Sequence, residues 1–306
     1  MAEWIDLLDP DEDELREHAG SVEPRVLDEL LRPADPDGGG ARPTLQGHGD
    51  YVFGILLLAV LDADRDLLFY QEVDLVIRRE SILTVRKTPQ GAKPFALAKV
   101  QEVCDAREHV PPGMVAYHLI DEIAEGYLDL LDDLDGEIDE LEENIDAWPG
   151  ERTRKRLSEI RHDLLRIRLT LAPTRDAVRG VIDGRVDIDR GLFRHEIFPE
   201  EVERAFAGVL DKLLRATESL EFSRDLLAAV RDYHTTQIAN DQNEVVKRLT
   251  VIASLVLFPT FIVGVYGQNF DHMPELRWYL GYAYSWGLIL VITLAQLVFF
   301  RWKRWI

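Results

Sequence analysis

The sequence predicts a mixed α/β domain that is followed by long helices and, toward the C-terminus, by two membrane-spanning helices. Three patterns support this fold class: short β-rich runs before residue 90, apolar residues at every third or fourth position from residue 115 onward, and two long uncharged segments after residue 248. The 306 residues carry a net charge of −21; residues 246–306 contribute +4, which leaves −25 on residues 1–245. This acidity argues against a nucleic-acid partner, and the single cysteine, Cys104, excludes an internal disulfide bond.

Residues 1–114 are predicted to form the α/β domain. Residues 1–50 are expected to be loosely ordered, with helix signals near Asp11 and a break rich in proline and glycine at residues 33–43. The β-rich runs that predict a small sheet lie at residues 51–61, 67–77 and 81–87. The sequence contains no nucleophile motif, no paired histidine ligands and no glycine-rich phosphate loop between a strand and a helix, so we expect no enzymatic activity.

Residues 115–198 are predicted to form a charged helical hairpin, because apolar residues recur at helical spacing on both sides of a turn at residues 148–150. The first arm has 13 carboxylates between Asp121 and Asp146, whereas the second arm is richer in basic residues. Two interpretations stay open. Either the charges pair between antiparallel helices and keep the protein soluble, or the acidic arm concentrates divalent cations near a pathway.

Residues 199–245 are predicted to form a stalk helix. No proline lies between Pro199 and Pro259, so a helix that begins near residue 199 can continue into the first membrane span. About 65 residues of α-helix rise roughly 100 Å. A helix of this length requires packing partners, and two spans per chain cannot enclose a water-filled path. Conduction would therefore require several copies around one axis.

Two uncharged segments of 18 and 23 residues near the C-terminus are long enough to cross a bilayer core of roughly 30 Å. The predicted spans that contain them are residues 246–266 and 278–300. Basic residues precede the first span and occupy the tail at residues 301–306, whereas the loop at residues 267–277 holds one arginine. By the positive-inside rule, this pattern predicts a multi-pass protein of the inner (plasma) membrane with both termini in the cytoplasm.

One stripe along the stalk helix and the first span is predicted to face the axis of such an assembly. Its members follow one another at spacings of 11, 3, 3, 4, 4 and 3 residues, which places them on one helical face. The stripe consists of Asp232, Asn243, Val246, Leu249, Ala253, Leu257 and Thr260. In symmetric rings, the polar members offer carboxylate, carboxamide and hydroxyl oxygens, and the apolar members form constrictions that gate by dewetting. Alternatively, Asn243 and Thr260 only form hydrogen bonds between helices.

The loop after the first span is predicted to form the external mouth of the path. Gly267, Gln268 and Asn269 follow the end of the span directly, and Asp271 and Glu275 add carboxylates beside them. Helix C-termini, each equivalent to about half a negative charge, would converge there and attract cations. Mg²⁺ sheds its waters reluctantly, so carbonyl and amide oxygens that contact a hydrated ion suit it better than a carboxylate cage. Asn269 fits that role.

These residues resemble a known family, the CorA-type divalent cation transporters. The resemblance rests on Asn-Glu-Val-Val-Lys-Arg-Leu-Thr at residues 243–250, on Pro259, on Tyr-Gly-Gln-Asn-Phe at residues 266–270 and on Met273-Pro274. It implies a funnel-shaped homopentamer with an α/β/α unit in the cytoplasm, stalk helices that continue into the pore and a second span packed outside.

The resemblance also implies roles for individual residues. Gly267 and Asn269 stand at the family's Gly-Met-Asn signature, where a ring of asparagines meets the hydrated ion. Asn243 and Asp232 stand at polar rings further along the path, so Asn269, Asn243 and Asp232 are the expected metal-contacting residues. The positions of the hydrophobic gate are held by Leu249 and Leu257.

The function implied by the resemblance is transport of divalent metal cations, with Mg²⁺ favoured and Co²⁺ and Ni²⁺ also carried. Intracellular cations are expected to close the pore. No resident cofactor is implied, since Mg²⁺, or Zn²⁺, is the cargo or a regulatory ion. The implied partners are further copies of the chain, the lipid bilayer and the ions themselves.

Two departures from the family pattern leave alternatives open. Gln268 stands where the family has methionine, which makes a ZntB-like Zn²⁺ transporter the nearest alternative, with His272 as a candidate ligand. A non-conducting membrane scaffold or metal sensor is the other alternative.

The second departure lies in the stalk helix. Gly208 lies near the position where family members carry an acidic cation-sensing residue, and Asp211, one turn away, is a candidate substitute.

Overall fold

The computed structural model describes residues 3–35, 41–62, 67–89, 91–107, 110–186, 197–268 and 273–306. The chain divides into two compact units, Met1–Val230 and Arg231–Ile306. The first unit contains a β-sheet and the helices packed on it, and the second contains the two apolar helical segments.

Among the described residues, the first unit is built on a five-stranded sheet. Its strands are β1 (Glu3–Leu8), β2 (Thr44–Gly47), β3 (Val52–Asp62), β4 (Leu67–Ile77) and β5 (Ser81–Lys87). Their order in the sheet is β1-β5-β4-β3-β2; β1 pairs with β5 in parallel, and the other neighbouring strands pair antiparallel. Every residue from Val52 to Ala59 is buried, so both faces of β3 are covered, which explains its nearly continuous apolar sequence.

In the part of the chain that the structure describes, six helices contribute to the first unit. They are α1 (Glu12–Ala19), α2 (Pro24–Leu31), α3 (Ala98–Asp105), α4 (Pro112–Asn144), α5 (Gly150–Ile182) and the first part of α6 (Glu200–Tyr266). α4 packs against β3 and β4, and α5 packs against β2 and β3. The hydroxyl group of the fully buried Tyr127 donates a hydrogen bond to the Leu57 carbonyl oxygen at 2.7 Å, and burial raises the pKa of this hydroxyl group. The Tyr70 hydroxyl group donates to the Arg166 carbonyl oxygen at 2.9 Å. The two tyrosines thus connect the sheet to α4 and α5.

The expectation that residues 1–50 are loosely ordered is wrong for the described part of that segment, where β1, α1, α2 and β2 lie. The Asp11 side chain caps α1 by accepting a hydrogen bond from the Glu14 N–H at 2.8 Å. β1 pairs with a strand far along the chain, with Trp4 opposite Ile82, so its local sequence gave no sign of its partner. The three predicted β-rich runs form β3, β4 and β5.

Charged side chains connect the long helices of the first unit. The Lys212 ammonium group of α6 lies 2.6 Å from Asp121 Oδ1 and 2.5 Å from Glu125 Oε1 of α4. Arg156 Nη2 of α5 lies 2.7 Å from Glu137 Oε2 of α4. Part of the acidity of α4 is therefore neutralised by pairing between helices. The Arg156–Glu137 pair joins the two arms of the charged hairpin, as the first of the two interpretations predicts, whereas Lys212 comes from α6.

The second unit contains the rest of α6, a 3₁₀ turn (Pro274–Arg277) and α7 (Gly281–Trp302). α6 is continuous over 67 residues, which confirms the expectation of one long helix that enters the first span. α6 and α7 each contain a segment that is long and apolar enough to cross a membrane. Pro259 lies inside α6.

A charged cluster is buried in the first unit. The Lys87 ammonium group lies 2.6 Å from Glu72 Oε1 and 2.7 Å from Asp74 Oδ2, and it donates to the Glu29 carbonyl oxygen at 2.9 Å. Burial raises the pKa of the Asp74 carboxyl group well above its usual value, despite the attraction of Lys87. Burial disfavours the charge on Lys87, but the two carboxyl groups outweigh this effect and raise its pKa. The cluster therefore places one ammonium group between two carboxyl groups, and burial favours the neutral form of Asp74.

Replacement of Lys87 by methionine is expected to lower the free energy of unfolding of the first unit by about 3 to 5 kcal/mol, because a buried carboxylate loses its partner. Urea unfolding of the full-length protein in detergent, followed by circular dichroism, measures this change.

Lys99→Met is the matched control. The Lys99 ammonium group also lies 2.6 Å from a carboxylate, that of Glu122, but its side chain is 76% exposed. The expected loss is below about 1 kcal/mol. Equally small losses in both variants would contradict a structural role for the buried cluster.

Candidate functional site

The residues of the predicted stripe are all exposed in the single chain, and the exposed fractions of Leu249 and Leu257 are 60% and 64%. In contrast, Val251 and Ile262 of the same apolar segment are buried. An α-helix turns about 100° per residue, so these two residues lie roughly 160° to 180° around the helix from Ala253, at the centre of the stripe. The stripe therefore occupies the face of α6 opposite to the face that the chain itself covers.

α7 packs on the covered side of α6. The Gln296 side-chain amide of α7 donates a hydrogen bond to the Ser254 carbonyl oxygen of α6 at 3.2 Å. Ile262 of α6 and Ile289 of α7 line the same pocket. Sequence reasoning missed Gln296, although a carboxamide inside an uncharged segment is itself a signal of a hydrogen bond between membrane helices.

The polar members of the stripe keep oxygen atoms accessible. The Asp232 carboxylate lies 3.1 Å from the Arg231 guanidinium group in an exposed ion pair, a type of contact that contributes at most about 1 kcal/mol. The Thr260 hydroxyl group donates to the Val256 carbonyl oxygen at 2.7 Å, which leaves the hydroxyl oxygen able to accept. The Asn243 side chain is exposed. All three side chains can therefore offer oxygen ligands on this face.

Backbone hydrogen bonds close the last turn of α6. The Gly267 N–H donates to the Val263 carbonyl oxygen at 2.8 Å, and the Gln268 N–H donates to the Val265 carbonyl oxygen at 3.3 Å. Gly267 and Gln268 are exposed just beyond the end of the helix, at the negative end of its dipole. The predicted mouth residues outside the described residues are Asn269, Asp271 and His272.

Glu275 lies in the 3₁₀ turn and lines a pocket together with Gly267 and aromatic residues at the start of α7. The structure therefore brings this predicted carboxylate close to the end of α6. Among the residues that the structure describes, no group of three or more histidine, cysteine or acidic side chains is arranged to hold a metal ion. The stripe instead carries single polar side chains at different levels, and symmetric copies would multiply each of them into a ring.

Gly208 and Asp211 lie on the exposed surface of α6 within the first unit. A Cβ atom at Gly208 would meet no atom within 4 Å, so the helix surface at this level is open in the single chain. The Asp211 carboxylate, one turn further on, is accessible to an ion or to another copy.

Comparison with known proteins reveals relatives along nearly the whole chain. A family model described as CorA-like Mg²⁺ transporter protein matches residues 2–304. The cobalt/magnesium transport protein CorA of Thermotoga maritima is 27% identical over 319 residues, which cover 99% of this chain and 83% of that protein.

Solved structures with the same fold support this relationship. The CorA magnesium transporter from Methanocaldococcus jannaschii matches with a TM-score of 0.80 and 20% identity, over 99% of this chain and 91% of that chain. The ZntB cytoplasmic domain from Vibrio parahaemolyticus matches less well, with a TM-score of 0.56 and 14% identity over 78% of this chain and 88% of that chain. By its family and fold, this is a membrane-embedded metal-ion transporter and not an enzyme. The chain belongs to the CorA-like Mg²⁺ transporter family.

Proposed function

We propose that this protein carries Mg²⁺ across the inner (plasma) membrane through a homopentameric pore lined by the stripe on α6. Co²⁺ and Ni²⁺ are further cargo, and both termini lie in the cytoplasm. The observation that carries the proposal is the orientation of the stripe, which lies on the face of α6 opposite to the face on which α7 packs. In a ring of copies, α7 then lies outside and the stripes of all copies meet at the axis.

The proposed path combines polar rings with an apolar constriction. Asp232 and Asn243 supply rings of carboxylate and carboxamide oxygens that contact the hydrated ion through its waters. Val246, Leu249 and Leu257 form narrow apolar rings, with the small Ala253 between the leucines. Such rings block ions when they lose water and conduct when they are wetted. Thr260 adds a ring of hydroxyl oxygens near the external end.

The proposed selectivity entrance lies just beyond the end of α6, at Gly267, Gln268 and Asn269. Five helix C-termini, each worth about half a negative charge, attract cations there, and Asp271 and Glu275 strengthen the attraction. The exposed Gln268 adds a second carboxamide to that of Asn269. Amide oxygens suit a Mg²⁺ ion that keeps its waters. Along the whole path, the proposed ion contacts are Asn269, Asn243 and Asp232.

The acidic cytoplasmic part is proposed to regulate the pore. Residues 1–245 carry a charge of −25, so copies gathered around one axis repel each other. Intracellular Mg²⁺ screens this repulsion and favours the closed arrangement, whereas its depletion favours the open one. The accessible Asp211 carboxylate is one proposed contact for the regulatory ion.

A ZntB-like Zn²⁺ transporter is the second candidate function. Gln268 favours it, because the family's methionine is absent at the entrance, and His272 is the proposed additional ligand. The likeness to the ZntB cytoplasmic domain concerns the fold alone. A scaffold or metal sensor that does not conduct is the remaining alternative, and flux measurements separate all three.

Replacement of Leu257 by alanine is expected to raise Mg²⁺ flux into liposomes under conditions that close the wild-type pore, because it widens an apolar ring. Each kcal/mol by which the barrier falls raises the flux about fivefold. Dye-loaded liposomes that contain the purified protein report this flux.

Leu294→Ala in α7 is the matched control, since Leu294 is 60% exposed in the single chain and Leu257 is 64% exposed. We expect flux through Leu294→Ala to stay at the wild-type level. An equal rise in both variants would argue against a gate at Leu257.

Liposomes that contain the wild-type protein are expected to take up Mg²⁺ faster than Zn²⁺, and Asn269→Ala is expected to abolish this uptake without changing the size of the oligomer.

Gln268→Met should alter the ratio of Mg²⁺ to Co²⁺ flux while Mg²⁺ flux continues. Asn240→Ala serves as the control, because Asn240 is also exposed on α6 but lies about 140° around the helix from Ala253.

The outcomes separate the candidate functions. Uptake of Zn²⁺ alone would favour the zinc transporter. A well-folded oligomer that passes no ion would favour the scaffold or sensor. Unchanged Mg²⁺ uptake by folded Asn269→Ala would contradict the proposed entrance.

A further inference from the structure

A pocket of about 580 Å³ lies between the end of the first span and the start of the second. One wall of the pocket is aromatic and includes Trp278, Tyr282 and Trp286. This aromatic wall lies near the start of the second span. Among the described residues that line it, Glu275 carries the only charged side chain. The volume falls within the roughly 300 to 1,000 Å³ that is typical of small-molecule sites.

A glycine positions the 3₁₀ turn that carries Glu275. A Cβ atom at Gly281 would collide with the Glu275 carbonyl oxygen, so only glycine allows the 3₁₀ turn to approach the first turn of α7 this closely. The rings of Tyr282 and Trp286 pack edge to face, with their centroids 6.4 Å apart. Local packing therefore holds two rings of the aromatic wall and the backbone of the turn that carries Glu275.

The position of the pocket along the spans indicates its surroundings. Tryptophan and tyrosine concentrate where membrane helices meet the headgroup layer, so we expect the aromatic wall, at the end of one span and the start of the other, to lie at that level. Ile262 lies about 6 Å below the end of α6, and Ile289 lies about 12 Å below the start of α7, at 1.5 Å per residue. The pocket is thus polar and aromatic at the headgroup level and aliphatic toward the bilayer core.

The charge of the pocket favours a cation. A carboxylate beside aromatic faces attracts an ammonium group through charge and cation–π interactions. The C-terminal end of α6 at Gly267, which also lines the pocket, adds negative potential. Arg277 lies in the same 3₁₀ turn but is exposed and is not among the lining residues. An anionic headgroup would therefore meet repulsion here.

We propose that this pocket binds a phospholipid of the outer leaflet that carries an ammonium headgroup, such as phosphatidylethanolamine. The ammonium group contacts Glu275 and the rings of Trp278 and Trp286, and an acyl chain follows Ile262 and Ile289 into the bilayer. The ammonium group of each bound lipid pairs with the Glu275 carboxylate beside the proposed mouth, and the phosphate of the zwitterionic headgroup stays nearby. The lipid therefore adds no net charge but covers this carboxylate, so the lipid composition adjusts the local field that cations meet.

Native mass spectrometry of the full-length protein, released from nanodiscs with equal amounts of phosphatidylethanolamine and phosphatidylglycerol, tests the proposal. We expect phosphatidylethanolamine to be retained about tenfold more than phosphatidylglycerol. Glu275→Gln and Trp286→Leu should abolish this preference. Arg277→Gln, a charge change in the same turn, should keep it, and soluble phosphoethanolamine should not displace the lipid.

Equal retention of the two lipids by the wild-type protein would overturn the proposal, as would an unchanged preference in Glu275→Gln. Displacement by soluble phosphoethanolamine would show a headgroup site without a lipid anchor and would also overturn it. A cross-link from Trp286→Cys to a second copy, with no lipid retained, would show that another subunit fills the pocket. That outcome would overturn the lipid proposal as well. Lipid retention is measured without ion flux, so failure of the transport proposal leaves this test intact.

Discussion

The transport function depends on one geometric constraint: two membrane helices cannot surround water, so the ion path must lie on a surface that a single chain leaves open. α7 covers one side of α6, and the hydrogen bond from Gln296 to the Ser254 carbonyl oxygen fixes that side. The uncovered side carries the oxygen-bearing and the apolar side chains of the stripe. The proposed ion path and the packing against α7 therefore use opposite faces of α6.

The first unit must fold while it carries most of the negative charge. Its charged groups are paired differently at the surface and in the interior. At the helix surfaces, Lys212 and Arg156 pair with carboxylates of α4, where solvent still screens each charge. Inside the unit, Lys87 lies between Glu72 and Asp74, and burial raises the pKa of the Asp74 carboxyl group. The acidity that remains at the surface lies where cations can reach it, which the proposed regulation by intracellular Mg²⁺ requires.

Local sequence patterns predicted the elements whose signals are local. The uncharged segments and the long proline-free stretch predicted α7 and the continuous α6, because length and hydropathy decide whether a helix can cross a bilayer. Pairing across long sequence distances is different: β1 was missed because its partner strand, β5, follows α1, α2 and three other strands.

For the candidate site, the buried cluster and the pocket, local sequence patterns predict positions along a helix but not contacts between distant residues. Helical periodicity placed the stripe on one face of α6, but it could not show that α7 covers the opposite face. Lys87 resembles an ordinary strand-end lysine in the sequence, and only the fold shows that it is buried between two carboxyl groups. The pocket around Glu275 depends on the approach of the 3₁₀ turn to Gly281, which no sequence pattern encodes.

Chemical modification of single cysteines tests the central claim most directly. In a background in which the one native cysteine is removed by Cys104→Ser, Ala253→Cys lies on the stripe, whereas Ile252→Cys lies about 100° around the helix and is also exposed in the single chain. A water-soluble cationic thiol reagent is expected to block Mg²⁺ flux through the Ala253→Cys protein and to leave flux through the Ile252→Cys protein unchanged. Block of the Ile252→Cys protein alone, or equal sensitivity of both, would contradict the assignment of this face of α6 to the ion path.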